Sequence, residues 1–184
     1  MSIPKLEFPP FHLPDEAEAL RVEVRKFLKE TIYTAPHPAY GSSGIQLADI
    51  DGDGDLDVIY SNGDVLDKPF VLKPYHGVHL LENRGKFPFE HHRLANMPGV
   101  MRAVVADVDG DGDLDILAVA YLPAEEFPKR VEMEMDSVLW LEQTQKRKFV
   151  RRQLETKTCD HLTCAFARFG AGLPSLVVGN FWST

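Results

Sequence analysis

One nine-residue stretch, used twice, limits what this chain can fold into more than any other feature. Asp49-Ile50-Asp51-Gly52-Asp53-Gly54-Asp55-Leu56-Asp57 returns 58 positions later as Asp107-Val108-Asp109-Gly110-Asp111-Gly112-Asp113-Leu114-Asp115, and only the second residue differs. Five carboxylates so close together repel one another unless a cation sits among them. Hard oxygen donors on a glycine turn suit Ca2+, which takes 6–8 oxygens at about 2.3–2.6 Å. Asp49, Asp51, Asp53 and Asp57 are the expected side-chain ligands of the first loop, with Asp55 offering its backbone carbonyl. Asp107, Asp109, Asp111 and Asp115, with Asp113, repeat the set. Mg2+ demands stricter octahedral geometry, and a transition metal recruits His or Cys. Two Ca2+ sites are the expectation.

The flanks decide the kind of loop. An EF-hand needs a bidentate Glu at position 12 and a helix on each side. Position 12 is Tyr60 in one copy and Ala118 in the other. Short β-branched and aliphatic runs stand on both sides, Ile45–Ala48 and Val58–Tyr60, then Ala103–Ala106 and Ile116–Val119. These runs predict strand–loop–strand.

A D-x-D-G-D-G-D-L-D loop between two strands, repeated near 60 residues, resembles the FG-GAP/VCBS repeats of integrin-α-like β-propellers over about residues 41 to 184. That resemblance implies four-stranded blades whose first two strands are joined by a Ca2+-binding loop. It also implies an extracellular or periplasmic setting, although no signal peptide is visible at the N-terminus.

The second halves of the repeats align as well, at an offset of 60: Val78–Asn83 with Val138–Gln143, and Phe87–Leu94 with Arg147–Leu154. Four short strands per ~60 residues are the mark of a radial sheet repeat. A third copy keeps its glycines, Gly170 and Gly172, and its next strand, Leu176-Val177-Val178. Ala167, Phe169, Ala171, Leu173 and Ser175 replace its carboxylates, so it is expected to bind no calcium. The fold class expected is mainly β: a partial β-propeller of two full repeats (about 41–97 and 98–156) and an incomplete one (157–184). Two and a half blades leave apolar faces and a strand edge open, so a fragment, or self-association through open blade edges, is expected.

Ahead of the repeats, residues 1–38 read as an extended lead-in and one amphipathic α-helix over 15–30. Ala17, Leu20, Val24, Phe27 and Leu28 form its apolar stripe, and Asp15 with Glu18 its N-terminal cap. This segment weakly resembles the first helix of acyl-CoA dehydrogenases and carries no catalytic residue. Ala35-Pro36-His37-Pro38 then links it to the 39–184 repeat region.

Composition closes other routes. The formal charge is −8, and ten of the 28 acidic residues lie in the two loops, so two Ca2+ bring it to −4. No basic cluster exceeds Lys146-Arg147-Lys148, which leaves no nucleic-acid footprint, and no apolar run reaches the ~18 residues of a membrane span. Cys159 and Cys164, with only His161 near, make neither a zinc set nor a favoured local disulfide, and are expected as free, partly buried thiols. Trp140 and Trp182 are expected in packing roles. The function expected is a calcium-binding β-propeller module, with calcium structural, that binds a protein or carbohydrate ligand or acts as a scaffold. The alternative is an enzyme, of carbohydrate lyase or oxidoreductase type, on the same architecture. Its loop-borne site would gather His76, His79 or Arg102; the pair His91-His92, adjacent on a strand, should face opposite sides.

Overall fold

The computed structural model describes residues 18, 19, 22, 41–66, 70–170 and 174–181. The chain divides into two units, Met1–Thr34 and Ala35–Thr184. The helix expected over 15–30 falls outside the described residues except for Glu18, Ala19 and Val22, and the described elements include no α-helix. Trp182 lies outside them too. Among the described residues no helix is long and apolar enough to cross a membrane.

The second unit is built from antiparallel strands. β1 (Ser42–Ala48), β2 (Asp57–Asn62), β3 (Gly77–Glu82) and β4 (Glu90–Asn96) make one sheet in that order. β5 (Val100–Ala106), β6 (Asp115–Ala120), β7 (Asp136–Gln145) and β8 (Lys148–Thr156) make a second, and β9 (His161–Ala167) with β10 (Ser175–Asn180) a third of two strands. The middle strands β3 and β6 are buried along their whole length, the mark of a sheet covered on both faces. The outer strands β4 and β8 carry Glu90, Arg93, Arg151 and Arg152, charges that discourage further pairing at an edge.

Alternation along β6 sorts its side chains between two neighbours. Ile116, Ala118 and Ala120 join Ile59, Val78 and Leu80 in a core shared with the first sheet. Leu117 and Val119 turn the other way and meet Cys164 of β9, with Trp140, Phe166 and Val178 packed alongside. The packing is serial: β1 and β2 lie against β5, and β9 lies against β5 and β6. Trp140 therefore packs between sheets, as expected.

One backbone hydrogen bond recurs at the far end of each repeat. Gly63 N–H donates to Gly41 at 3.1 Å, Tyr121 to Gly99 at 2.9 Å, and Phe181 to Asp160 at 2.8 Å. The third copy thus keeps the framework of the others although its sequence has dropped the aspartates. It is tied to the second sheet by the Arg130–Asp160 ion pair at 2.9 Å and by Tyr121 edge-on to Phe181. Cys159 and Cys164 are both free and buried. Cys159 stands ahead of β9 rather than on a common strand with Cys164, its amide held by Ser137 Oγ at 2.8 Å. Burial raises both thiols, Cys164 to about 11, so neither is a ready nucleophile.

Candidate metal centre

Each aspartate loop joins the first two strands of a four-stranded sheet. Its glycines sit at positive φ, +69° and +95° for Gly52 and Gly54 and +83° and +97° for Gly110 and Gly112. A Cβ there would meet nothing within 4 Å. The requirement is therefore conformational rather than one of space. The turn folds its carboxylates back onto its own amides. Asp53 N–H donates to Asp49 Oδ1 at 3.0 Å and to Asp51 Oδ1 at 3.2 Å, and Gly54 N–H to Asp49 Oδ2 at 3.0 Å. In the second loop Gly110 donates to Asp107 at 2.8 Å, Asp111 to Asp109 at 3.2 Å and Asp113 to Asp111 at 2.9 Å.

The ninth aspartate does something the sequence pattern did not reveal. Asp57 is 1 % exposed; its carboxylate accepts Ile50 N–H at 3.2 Å and Asn83 N–H at 2.8 Å. Asp115, equally buried, accepts Val108 N–H at 3.2 Å and Gln143 N–H at 2.7 Å. Each carboxylate thus clamps the start of its loop to the end of the third strand. Burial is the main cause that lifts both above the usual carboxylate range; the two N–H donors work against it, and the nearby Asp51 and Asp53, or Asp109, add to it. A divalent cation beside such a group reverses that cost.

Carboxylate oxygens of Asp49, Asp51 and Asp57 come within 4.8 Å of one another in the first loop, and those of Asp107, Asp109 and Asp111 in the second. Asp53, Asp55, Asp113 and Asp115 fall outside these triplets. Three converging hard oxygens on a turn of free loop positions are a donor set that fits Ca2+.

The histidines gather differently from the expected active site. His79 Nδ1 lies 2.8 Å from His91 Nε2, and His79 Nε2 lies 3.3 Å from the Tyr75 carbonyl. A carbonyl only accepts, so neutral His79 carries its proton on Nε2, donates it to the Tyr75 carbonyl, and accepts a hydrogen bond at Nδ1 from His91 Nε2–H. Tyr60 stacks on His79 with ring centroids 4.8 Å apart. His92 turns to the other face and meets Glu82 at 2.8 Å, so the adjacent pair does face opposite sides. His76 and His79 are buried, at 0 % and 1 % exposure, while the stem of Arg102 lies beside Gly44 of β1. His161 is held by Asn180 at 2.7 Å and Glu155 at 3.1 Å. His76 and His79 are thus buried side chains, and His161 is a buried, hydrogen-bonded one.

Residues 62–118 match the FG-GAP-like repeat. The match runs from the end of β2 into β6 and takes in the second aspartate loop entire. The first loop stands just ahead of this FG-GAP-like repeat, in the same relation to its own strands. No curated protein and no solved structure matches the chain.

Proposed function

We propose that this chain is a calcium-stabilised repeat module of integrin-α-like β-propeller type, whose calcium is structural and whose role is ligand binding or scaffolding. The duplicated loop carries the reading: one acidic pattern, at one place between the first and second strands of two successive sheets, each closed by a buried ninth aspartate. Asp49, Asp51, Asp53 and Asp57 with the Asp55 carbonyl would hold one ion, and Asp107, Asp109, Asp111 and Asp115 with Asp113 the other. Bound there, Ca2+ supplies the positive charge that the loops lack. The blade arrangement draws support from the FG-GAP-like match and from the serial packing of the sheets.

The partner expected is a protein or a carbohydrate, and the setting extracellular or periplasmic. There, millimolar calcium loads sites of about 10⁻⁴–10⁻³ M. Self-association has a route as well. β10 pairs only with β9 among the described residues, and its sequence holds no charge and no proline to discourage pairing at its other edge.

Thermal melting in calcium and in chelator tests the reading. With free calcium about twentyfold above Kd, each site adds about 1.8 kcal/mol. Two sites then raise the melting temperature by about 10 °C. Asp53→Asn and Asp111→Asn should each remove part of that gain. A melt that is the same in calcium and chelator would discard the proposal.

A further inference from the structure

The two aspartate loops are alike in sequence and unlike in company. In the first, Asp51 keeps its side chain 3 % exposed, with Lys146 Nζ 3.7 Å and Arg147 Nε 3.6 Å from its Oδ2. Both cations stand on the turn between β7 and β8, in the neighbouring sheet, and Arg147 also pairs with Glu82 of β3. Gln143 of β7 closes the same contact, its Nε2 donating to the Ile50 carbonyl at 2.9 Å. The second loop shares Gln143, whose Nε2 also donates to the Leu114 carbonyl at 3.1 Å, but not the cations. Its Asp107, Asp109 and Asp111 are met by the loop's own amides. No lysine or arginine pairs with its carboxylates among the described residues. The reason is serial packing: an equivalent cation would come from a turn between third and fourth strands in the next sheet, whose described strands are only β9 and β10.

We infer that Lys146 and Arg147 set the divalent-ion affinity of the first loop and make it the weaker of two unequal sites. The inference rests on the calcium reading above. Affinity at such a loop follows the charge of its ligand set. A unit positive charge about 6 Å from a divalent ion, in a water-like dielectric, weakens binding by up to about tenfold. Added salt reduces that penalty. Arg147, committed to Glu82 as well, links the first loop to β3; Lys146, 52 % exposed, pairs with Asp51 alone among the described residues.

Calcium titration by calorimetry at low salt, after chelator removal, tests this on the whole chain. The unaltered protein should show two affinity classes. Asp111→Asn should remove the tighter class and Asp53→Asn the weaker. Lys146→Gln should tighten the weaker class by up to about tenfold, Lys146→Glu should tighten it further, and the tighter class should stay put in both. The exposed position of Lys146 keeps these variants folded, and their melts in chelator check that. If Lys146→Glu moves neither class, or if Asp53→Asn removes the tighter one, the inference is overturned while calcium binding stands. No binding heat in any of the proteins would overturn both.

Discussion

Gly63→Ala is expected to cost about 3 kcal/mol or more, at the top of the range for overpacked sites. A Cβ on Gly63 would stand 2.2 Å from both the amide nitrogen and the carbonyl oxygen of Val100, and 2.7 Å from the Gly99 carbonyl carbon. All three atoms are backbone, so no side chain can swing aside. The methyl must instead part the first sheet from the second, where Ile59, Leu80, Ile116 and Leu139 share one core. Gly52→Ala is the control. Its Cβ meets nothing within 4 Å, so only the φ of +69° is charged against it, about 1 kcal/mol. Urea unfolding followed by circular dichroism measures both. If Gly63→Ala falls within 1 kcal/mol of the parent, the close approach of the two sheets is wrong.

Mild acid should destabilise the chain steeply through two buried histidines. His76 and His79 are each pushed down from 6.5 to about 4, chiefly by burial. Lys73 and Arg93 add to the effect at His76 against the pull of Asp64; His91 adds to it at His79 against the Tyr75 carbonyl. Neither ring nitrogen of His76 has a hydrogen-bond partner among the described residues. Below pH 6.5 the unfolded chain takes up protons that the folded chain refuses. The stability present above that pH is therefore lost as pH falls from about 6.5 to about 4, at about 1.4 kcal/mol per pH unit for each histidine. Between pH 7 and pH 5 the pair accounts for about 4 kcal/mol. His76→Leu should remove about half of that slope, with urea midpoints at the two pH values as the readout. Comparison with the parent cancels the contributions of Asp57 and Asp115, whose raised values act with the opposite sign, and of Glu82, which Arg84 foremost holds low. An equal slope in His76→Leu would show that this imidazole titrates freely.

Most of the strand order was legible because it is written twice. Val58 and Ile116, or Val78 and Val138, occupy equivalent places in two sheets, and the 58- and 60-residue offsets between them are enough to align eight strands. The aspartates stood out for the same reason, and their clustering was legible as a cost that needs a counter-charge. What lay hidden depends on how one sheet is laid on the next. Lys146-Arg147-Lys148 was visible only as a small basic run, because nothing local says that a turn near residue 146 meets a loop near residue 51. His79 and His91 meet because β3 and β4 shift register between Val78 and His79, a detail that periodicity does not carry. Position alone makes Asp57 and Asp115 ligand candidates; their burial and paired N–H donors belong to the sheet as much as to the loop.

Metal content reads out the proposal that a divalent ion sits in each aspartate loop. The chain is brought to equilibrium by dialysis against several millimolar calcium in excess magnesium, and the calcium on the two sides of the membrane is compared by elemental mass spectrometry. Two calcium ions per chain are expected, falling to one in Asp53→Asn or Asp111→Asn. Calcium at the level of the buffer blank in all three proteins would contradict the account.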